Sequence, residues 1–575
     1  MYSLKWVVKW LGKKRRILIT AIVTGICSIT LMGVEPFIFR RIIDNVLLGG
    51  DYDALPALLA RAMGIACAFL VLRYITNLLY ETASQHVVIN LRRTLFDKIL
   101  HQTVAYYREH TAGDLIILCT GDTDMVRHYV CWVIPKAFEC SAMLIGVLIV
   151  FLSISPLYAL CLFILTPVSA LLAFRLGRAI RPAHARIREQ RAKLSTVVNE
   201  NINGNRVIKA FAREQFEIDK FEIENKEFRD ANIDANRIWL RHQPLMDYMA
   251  HALGIINLIV GALMVINGKV TLGQMNIFFA LAWALNEPML TLGTIINDSQ
   301  RFATSAEKLM ALQFGRIAVE SPLNAAEMNE PRGHVVMKEV SLYAGNTLLL
   351  ENINFEAQPG RTIGVMGPTG SGKTVLASLI PRLVDVSGGG VFVDGVNVKE
   401  YNLRELRRRI GMTTQDVFLF SDSVENNVAY GGPDAPMEAV ERAADAADAA
   451  EFVRKLPQGY NTIVGERGTG LSGGQKQRLS LARAILPDPA ILILDYTTRA
   501  VDMETEEAIQ NKLSNMETKA TRIIIAQRVS SVKDADCIYI MEDGRIQEQG
   551  THDELVKLRG YYYETCKLQQ PGEVF

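Results

Sequence analysis

The octapeptide Gly367-Pro368-Thr369-Gly370-Ser371-Gly372-Lys373-Thr374 has the residue types needed to hold a chain of phosphates. Its glycines let backbone N–H groups converge on phosphate oxygens at the start of a helix. Lys373 can neutralise the outer phosphates, and the Thr374 hydroxyl can ligate Mg²⁺. Farther along, Ala490-Ile491-Leu492-Ile493-Leu494-Asp495 reads as a buried strand ending in a carboxylate, which would orient the outer shell of that magnesium ion. Gln415, within Thr414-Gln415-Asp416, falls on a loop between the two and is a further candidate for the metal. A second glycine-bearing motif, Leu471-Ser472-Gly473-Gly474-Gln475, precedes the acidic strand. Directly after the carboxylate stands Tyr496, where a base for activating water would be wanted. A phenol with an ordinary pKa of about 10 cannot serve as that base at neutral pH. Lacking a positioned base costs roughly 10²- to 10⁴-fold in rate. These residues predict a site that holds a nucleoside triphosphate well and cleaves it poorly.

Such a loop must be presented between a strand and a helix. The run Thr362-Ile363-Gly364-Val365-Met366 predicts the strand, and Val375-Leu376-Ala377-Ser378-Leu379-Ile380 the helix that follows. From about 335 onward, short β-branched runs, glycines and amphipathic helices alternate as in an α/β domain.

The first 300 or so residues are of another kind and carry most of the 49% hydrophobic content of the 575-residue chain. A helix needs about 20 apolar residues to cross a bilayer. Six stretches qualify, near 17–39, 57–80, 132–152, 157–177, 244–267 and 274–297. The short links at 153–156 and 267–270 hold almost no positive charge, whereas the long links around 85–130 and 178–242 are dense in Arg and Lys. The positive-inside tendency places both termini and both long links in the cytoplasm. The long links lack strand or loop composition and predict helices continuing out of the membrane. Each turns back near 107–115 or 203–211. Residues 1–16, basic and carrying Trp6 and Trp10, predict an interfacial elbow helix. Arg40 and Arg41 lie at the outer end of the first span, where Asp44, Asp51 and Asp53 can offset them.

Ionisable residues within spans cost about 2.5 to 3.5 kcal/mol at the centre, so each needs a reason. Arg73, Glu35 beside Pro36, and Glu287 beside Pro288 are the candidates. They line a polar substrate path, or they pair inside the bundle or snorkel. Glu287 is the first choice for the path, because a helix broken at Pro288 would free backbone groups beside it. The eight cysteines form no C-x-x-C pair and no metal-ligand spacing, so they read as small apolar fillers. A net charge of +1 gives no argument for a nucleic-acid partner.

The order of phosphate loop, Gln415 loop, Val464-Gly465-Glu466-Arg467-Gly468, Leu471 to Gln475 and Asp495 strand resembles the ATP-binding cassette (ABC) family, its exporters in particular. The closing segment Gly544 to His552 and the six preceding spans are also similar to that family, so the resemblance covers nearly the whole chain. It implies a six-helix transmembrane α bundle with long cytosolic extensions over 17–312. An α/β P-loop (RecA-like) nucleotide-binding domain with a helical subdomain would follow over 335–570. The segments at 107–115 and 203–211 resemble the family's coupling helices. In the family two nucleotide domains close head to tail, each ATP lying between the phosphate loop of one and the Ser-Gly-Gly-Gln segment of the other.

Four departures follow from the same comparison. Tyr496 stands for the family's catalytic Glu, and Gln527 for its switch His. Gln can donate a hydrogen bond to a γ-phosphate but cannot titrate like His. Arg499-Ala500-Val501-Asp502 replaces the family's Ser-Ala-Leu-Asp turn. The adenine-stacking aromatic is shifted by one place, leaving Tyr343 as the candidate with Ala344 at the aligned position. The resemblance implies a heterodimer in which this chain binds ATP and Mg²⁺ at an impaired site and lends Ser472, Gly473, Gly474 and Gln475 to a partner with intact Glu and His. The cargo would be drug-like, lipid or peptide. A slow homodimeric pump and a nucleotide-gated regulatory membrane protein are the alternatives.

Overall fold

A computed structural model describes residues 2–163, 165–328, 331–495, 503–514 and 520–569. It separates into two compact units, one of Met1–Leu100 with Ala112–Gly315, the other of His101–Thr111 with Arg316–Phe575.

The described part of the first unit is entirely helical. Helix Tyr2–Leu11 buries Trp6, Val7 and Leu11, and the Trp6 indole donates to Gln313 Oε1 at 2.7 Å, which satisfies its only polar atom. Helix Arg15–Arg41 runs on through a π-helical turn, Ile42–Leu47. Arg40 meets Asp44 at 3.5 Å there. Asp44 also accepts from the Thr271 hydroxyl and the Gly273 N–H, tying the outer ends of two hairpins together. A Cβ on Gly273 would stand 2.6 Å from Arg40 O, so this approach needs glycine.

Helices Leu55–Leu100 and Glu214–Ile266 have 46 and 53 residues. At 1.5 Å per residue they extend about 70 and 80 Å, more than twice the hydrocarbon thickness. Among the described residues, three helical stretches are long and apolar enough to cross a membrane: Arg15–Leu47, Tyr52–Leu100 and Ala112–Ile154. Their apolar windows are at most 22% buried within the protein. Shorter apolar helices are His251–Ile266 and Leu272–Leu285. Helices Pro156–Phe163 and Leu165–Asn203 cover the region around 157–177. Stacked Phe151, Tyr158 and Phe278 form the centre of one packed cluster, where the Tyr158 hydroxyl donates to the carbonyl of Asn257 at 2.7 Å.

The sequence expected a break at Pro288, but helix Trp283–Phe314 passes through it. The interruption falls at Ala282, which separates Leu272–Leu281 from Trp283 with tightened bonds, Ala282 N–H to Phe279 O and Leu285 N–H to Ala282 O. A proline ring crowds the turn before it, so the irregularity sits on that N-terminal side.

The described residues of the second unit contain ten strands: β1 Val335–Ala344, β2 Thr347–Ala357, β3 Thr362–Met366, β4 Gly388–Val393, β5 Val396–Asn397, β6 Ile410–Thr413, β7 Ile491–Asp495, β8 Thr521–Ile525, β9 Cys537–Glu542 and β10 Arg545–Gly550. They form a four-stranded sheet in the order β2-β1-β4-β5 and a six-stranded one in the order β10-β9-β3-β8-β7-β6. In the larger sheet β9, β3, β8, β7 and β6 are parallel. Their carboxyl ends therefore share one edge, where such sheets present their ligand loops. β7 is buried along its whole length, as its unbroken apolar run requires. Helices Val424–Ala429, Met437–Ala446, Ala450–Arg454 and Gly473–Ile485 pack on this sheet's β7 side through a shared core that includes Val428, Val440, Leu479, Leu492 and Leu494.

Candidate functional site

Parallel register decides which residues meet. Val365 pairs with Ile525, and Ile525 pairs with Asp495, so the carboxyl ends of β3, β8 and β7 lie side by side. A cavity of about 220 Å³ opens at that edge, lined by Thr369, Gly370, Gly372, Lys373, Thr374, Gln415, Asp495 and Gln527, with Leu349, Val375, Ile525 and Ala526.

The 367–372 loop folds as its glycines demand. Gly370 and Gly372 have φ of +89° and +98°, and a Cβ on Gly367 would stand 2.0 Å from the carbonyl oxygen of Met541. Helix Lys373–Leu379 starts directly from the loop, so its free N–H groups point toward the cavity. Lys373 Nζ donates to Gly367 O at 2.9 Å and Pro368 O at 2.7 Å, and lies 3.3 Å from Ser371 Oγ. Burial pulls its ammonium below the usual lysine range, and the Asp495 carboxylate partly restores it. Asp495 is only 3% exposed. Burial pushes its carboxyl upward, opposed by a hydrogen bond from Thr374 and by the Lys373 charge. Asp495 Oδ2 has no hydrogen-bond partner among the described residues. A buried, unpartnered carboxylate oxygen beside the Thr374 hydroxyl and the Gln415 amide is the oxygen-donor set that suits a hydrated Mg²⁺.

Gln527 extends from the loop after β8, with Nε2 3.4 Å from Thr369 Oγ1. Tyr343 lies elsewhere, on β1 of the smaller sheet. It is 54% exposed and not among the residues lining the cavity. Tyr496, Arg499 and Asp502 lie outside the described residues.

The second glycine motif begins a helix. Ser472 is the N-cap of Gly473–Ile485, its Oγ accepting from Gln475 N–H at 3.3 Å while Gln475 Oε1 accepts from Ser472 N–H at 2.9 Å. The preceding turn is held in place by Lys476, which donates to Arg467 O at 2.9 Å. Ser472 and Gly473 are exposed, and none of Ser472, Gly473, Gly474 or Gln475 lines the cavity around Lys373. The cavity around Lys373 and the exposed helix start at Ser472 are thus separate places on the chain.

The family described as ABC transporter transmembrane region matches residues 18–289, and the family described as ABC transporter matches 350–499. An uncharacterized ABC transporter ATP-binding protein of Bacillus subtilis, YknU, is 34% identical over 96% of this chain and 95% of its own length. The chain belongs to the ABC transporter family. An ATP-dependent lipid A-core flippase of Desulfotalea psychrophila is 30% identical over 94% of both chains. A bacterial Atm1-family ABC exporter with ATP bound superposes with a TM-score of 0.82 at 23% identity, covering 98% of this chain and all of that one. This ABC transporter therefore has an exporter's fold, with a helical membrane domain followed by an α/β nucleotide domain, and its transport is coupled to ATPase chemistry.

In its membrane domain two of the three charged candidates, Arg73 and Glu287, have ion-pair partners. Arg73 pairs with Glu139, and Glu287 Oε1 with Lys136 Nζ at 2.6 Å, so Glu139 and Lys136 on one helix face two neighbours. His128 meets Asp298 at 3.0 Å farther along the same seam. Glu35 is exposed. The pairing accounts for the presence of Arg73 and Glu287 in an apolar span. Their partners were missed in the sequence because only helix packing selects them. Among the described residues no group of three metal-ligating side chains occurs.

Asp495→Asn tests the cation half of the cavity. The change removes a buried charge whose ionised form the fold disfavours, so the unfolding temperature is expected to hold or rise. ATP affinity measured with Mg²⁺ should fall about tenfold, whereas affinity in excess chelator should stay unchanged.

Proposed function

We propose that this chain is the degenerate-site half of a heterodimeric exporter. It holds ATP and Mg²⁺ in its own cavity, turns them over slowly, and lends Ser472, Gly473, Gly474 and Gln475 to the hydrolytic site of a partner with a catalytic Glu and a switch His. The observation that carries the reading is the mismatch within one chain: an intact phosphate loop and signature beside Tyr496 and Gln527. The separation of the cavity from the exposed Ser472 supports it, because each half-site needs a complement from a second nucleotide domain.

Within the cavity, loop N–H groups and Lys373 would hold the phosphates, Thr374 and Gln415 would hold Mg²⁺ with Asp495 beside them, and Gln527 would donate to the γ-phosphate. Bound Mg²⁺ supplies neutralisation of phosphate charge. Tyr343 is the aromatic nearest in sequence to the expected adenine contact. Closure of two ATP-loaded domains would turn the membrane cavity outward, and long-lived ATP in this site would bias the pair toward the closed population. The segments near 107–115 and 203–211 would transmit that closure. Related lipid A-core flippases favour a lipid or drug-like cargo taken from the inner leaflet, and the bacterial relatives favour a plasma-membrane location. Arg73, Glu35 and Glu287 remain the candidates for a polar part of its path.

In the co-assembled transporter, Tyr496→Phe should keep ATP turnover within about twofold, because no proton passes through that phenol. Loss of turnover in this variant would overturn the reading. The completeness of loop and signature in one chain favours a second reading, a slow homodimeric pump. Slow but measurable turnover by the chain alone, abolished by Lys373→Ala, would favour that one instead.

A further inference from the structure

Gln569, the last residue of the helix Tyr561–Gln569, grips the loop that follows β8. Gln569 uses both ends of its amide: Nε2 donates to the carbonyl oxygen of Gln527 at 2.8 Å, and Oε1 accepts from the N–H of Val529 at 2.9 Å. A primary amide fills both roles at once, because it carries a donor and an acceptor side by side and the loop offers one acceptor and one donor two residues apart. A single side chain thereby makes the pair of bonds that a neighbouring strand would make.

The helix that carries Gln569 is itself fixed. Glu548 of β10 accepts from the N–H of Tyr561 at 2.6 Å and of Tyr562 at 3.4 Å, satisfying donors that a helix start leaves free. Tyr562 and Cys566 are fully buried, and the Tyr562 hydroxyl is 2.7 Å from His552 Nδ1. The grip therefore comes from a buttressed element, whereas Gln527 itself is exposed and its side chain has a long contact of 3.4 Å to Thr369. Val529, the other end of the clamp, is buried. Backbone fixed on both sides of Arg528 leaves the Gln527 side chain little choice but to face the cavity that it lines.

We propose that Gln569 is a positioning residue that aims Gln527 at the γ-phosphate, so that the C-terminal helix sets how strongly this site prefers triphosphate over diphosphate. The inference rests on the reading of Gln527 as a γ-phosphate donor.

The test uses the full-length chain in lipid nanodiscs, titrated with ATP and with ADP in Mg²⁺. Gln569→Ala should weaken ATP binding about five- to tenfold, the worth of one net hydrogen bond, with ADP affinity held within about twofold. Gln569→Glu should behave like Gln569→Ala, because a carboxylate accepts from Val529 but cannot donate to Gln527. In a Gln527→Ala background, Gln569→Ala should change the ATP-to-ADP preference no further. Equal losses for ATP and ADP, as expected of a merely structural anchor, would overturn the proposal. So would additive effects in the double variant, or no effect at all. If Gln527→Ala alone leaves the preference unchanged, the reading of Gln527 falls first and the proposal with it. If Gln527→Ala alters the preference and Gln569→Ala does not, only the positioning role falls.

Discussion

In the proposed heterodimer, Ser472→Ala is expected to lower ATP turnover by about 10²- to 10³-fold, the loss typical of removing one preorganised donor from a charge-developing transition state. The hydroxyl belongs to the exposed start of helix Gly473–Ile485, where free N–H groups and the positive helix end would favour a phosphate brought by the proposed partner. Its present partner is the Gln475 N–H at 3.3 Å, a long bond that leaves the oxygen available to a ligand. The cap role has its own cost, since removing a serine N-cap destabilises a helix by about 0.5 to 2 kcal/mol. Two measurements separate the roles. Ser472→Asp keeps an N-cap acceptor but sets an anion against phosphate, so it should hold the unfolding temperature and still abolish turnover. ATP binding to this chain's own cavity should be unchanged in both variants. If Ser472→Asp retained turnover, the signature of this chain would not be serving a hydrolytic site.

The class of fold was readable because its signals are local. Apolar runs of about 20 residues, the glycine spacing at 367–372 and the unbroken apolar run before Asp495 each dictate an element without reference to the rest of the chain. Residues distant in sequence, such as Lys373, Gln415, Asp495 and Gln527, share a cavity because each follows or ends a parallel strand, and parallel strands end on one edge. Contacts that depend on packing angle were not readable. Glu139 and Lys136 are ordinary charges in a helix until Arg73 and Glu287 arrive from neighbouring helices. Leu349 lines the cavity as an apolar strand residue with no motif around it, while Tyr343, chosen for its aromatic ring, does not line it. Gln569 carries no signal at all, being one amide at the end of a short amphipathic helix. Pro288 was a local signal for an irregular helix, but the helix runs through it and the irregular hydrogen bonds fall at Ala282.

Lys373→Ala weakens ATP binding to this chain roughly 10- to 100-fold, corresponding to the loss of charge-assisted hydrogen bonds worth about 1.5 to 3 kcal/mol. The magnitude follows from where the ammonium sits. Nζ is held at the mouth of the loop by the Gly367 and Pro368 carbonyls, so little side-chain entropy remains to be lost when phosphate oxygens replace them. Burial depresses its pKa, which marks an ammonium short of counter-charge, and a polyphosphate supplies that charge. The same substitution leaves Asp495 as a buried carboxyl without its neighbouring cation, so its pKa rises further and this one group's contribution to stability becomes less favourable as pH rises from acid to neutral. For a carboxyl whose folded pKa is raised, stability is gained as pH falls through that value and lost as pH rises through it. Lys373→Met, which keeps the aliphatic stem packed, should lose as much ATP affinity as alanine. Lys373→Arg should recover part of it, because the charge persists while its fork geometry does not match the loop. Equal ATP affinity in wild-type and Lys373→Met protein, measured by equilibrium titration in Mg²⁺, would remove this cavity from the cycle and with it the assignment of a nucleotide-holding role to this half.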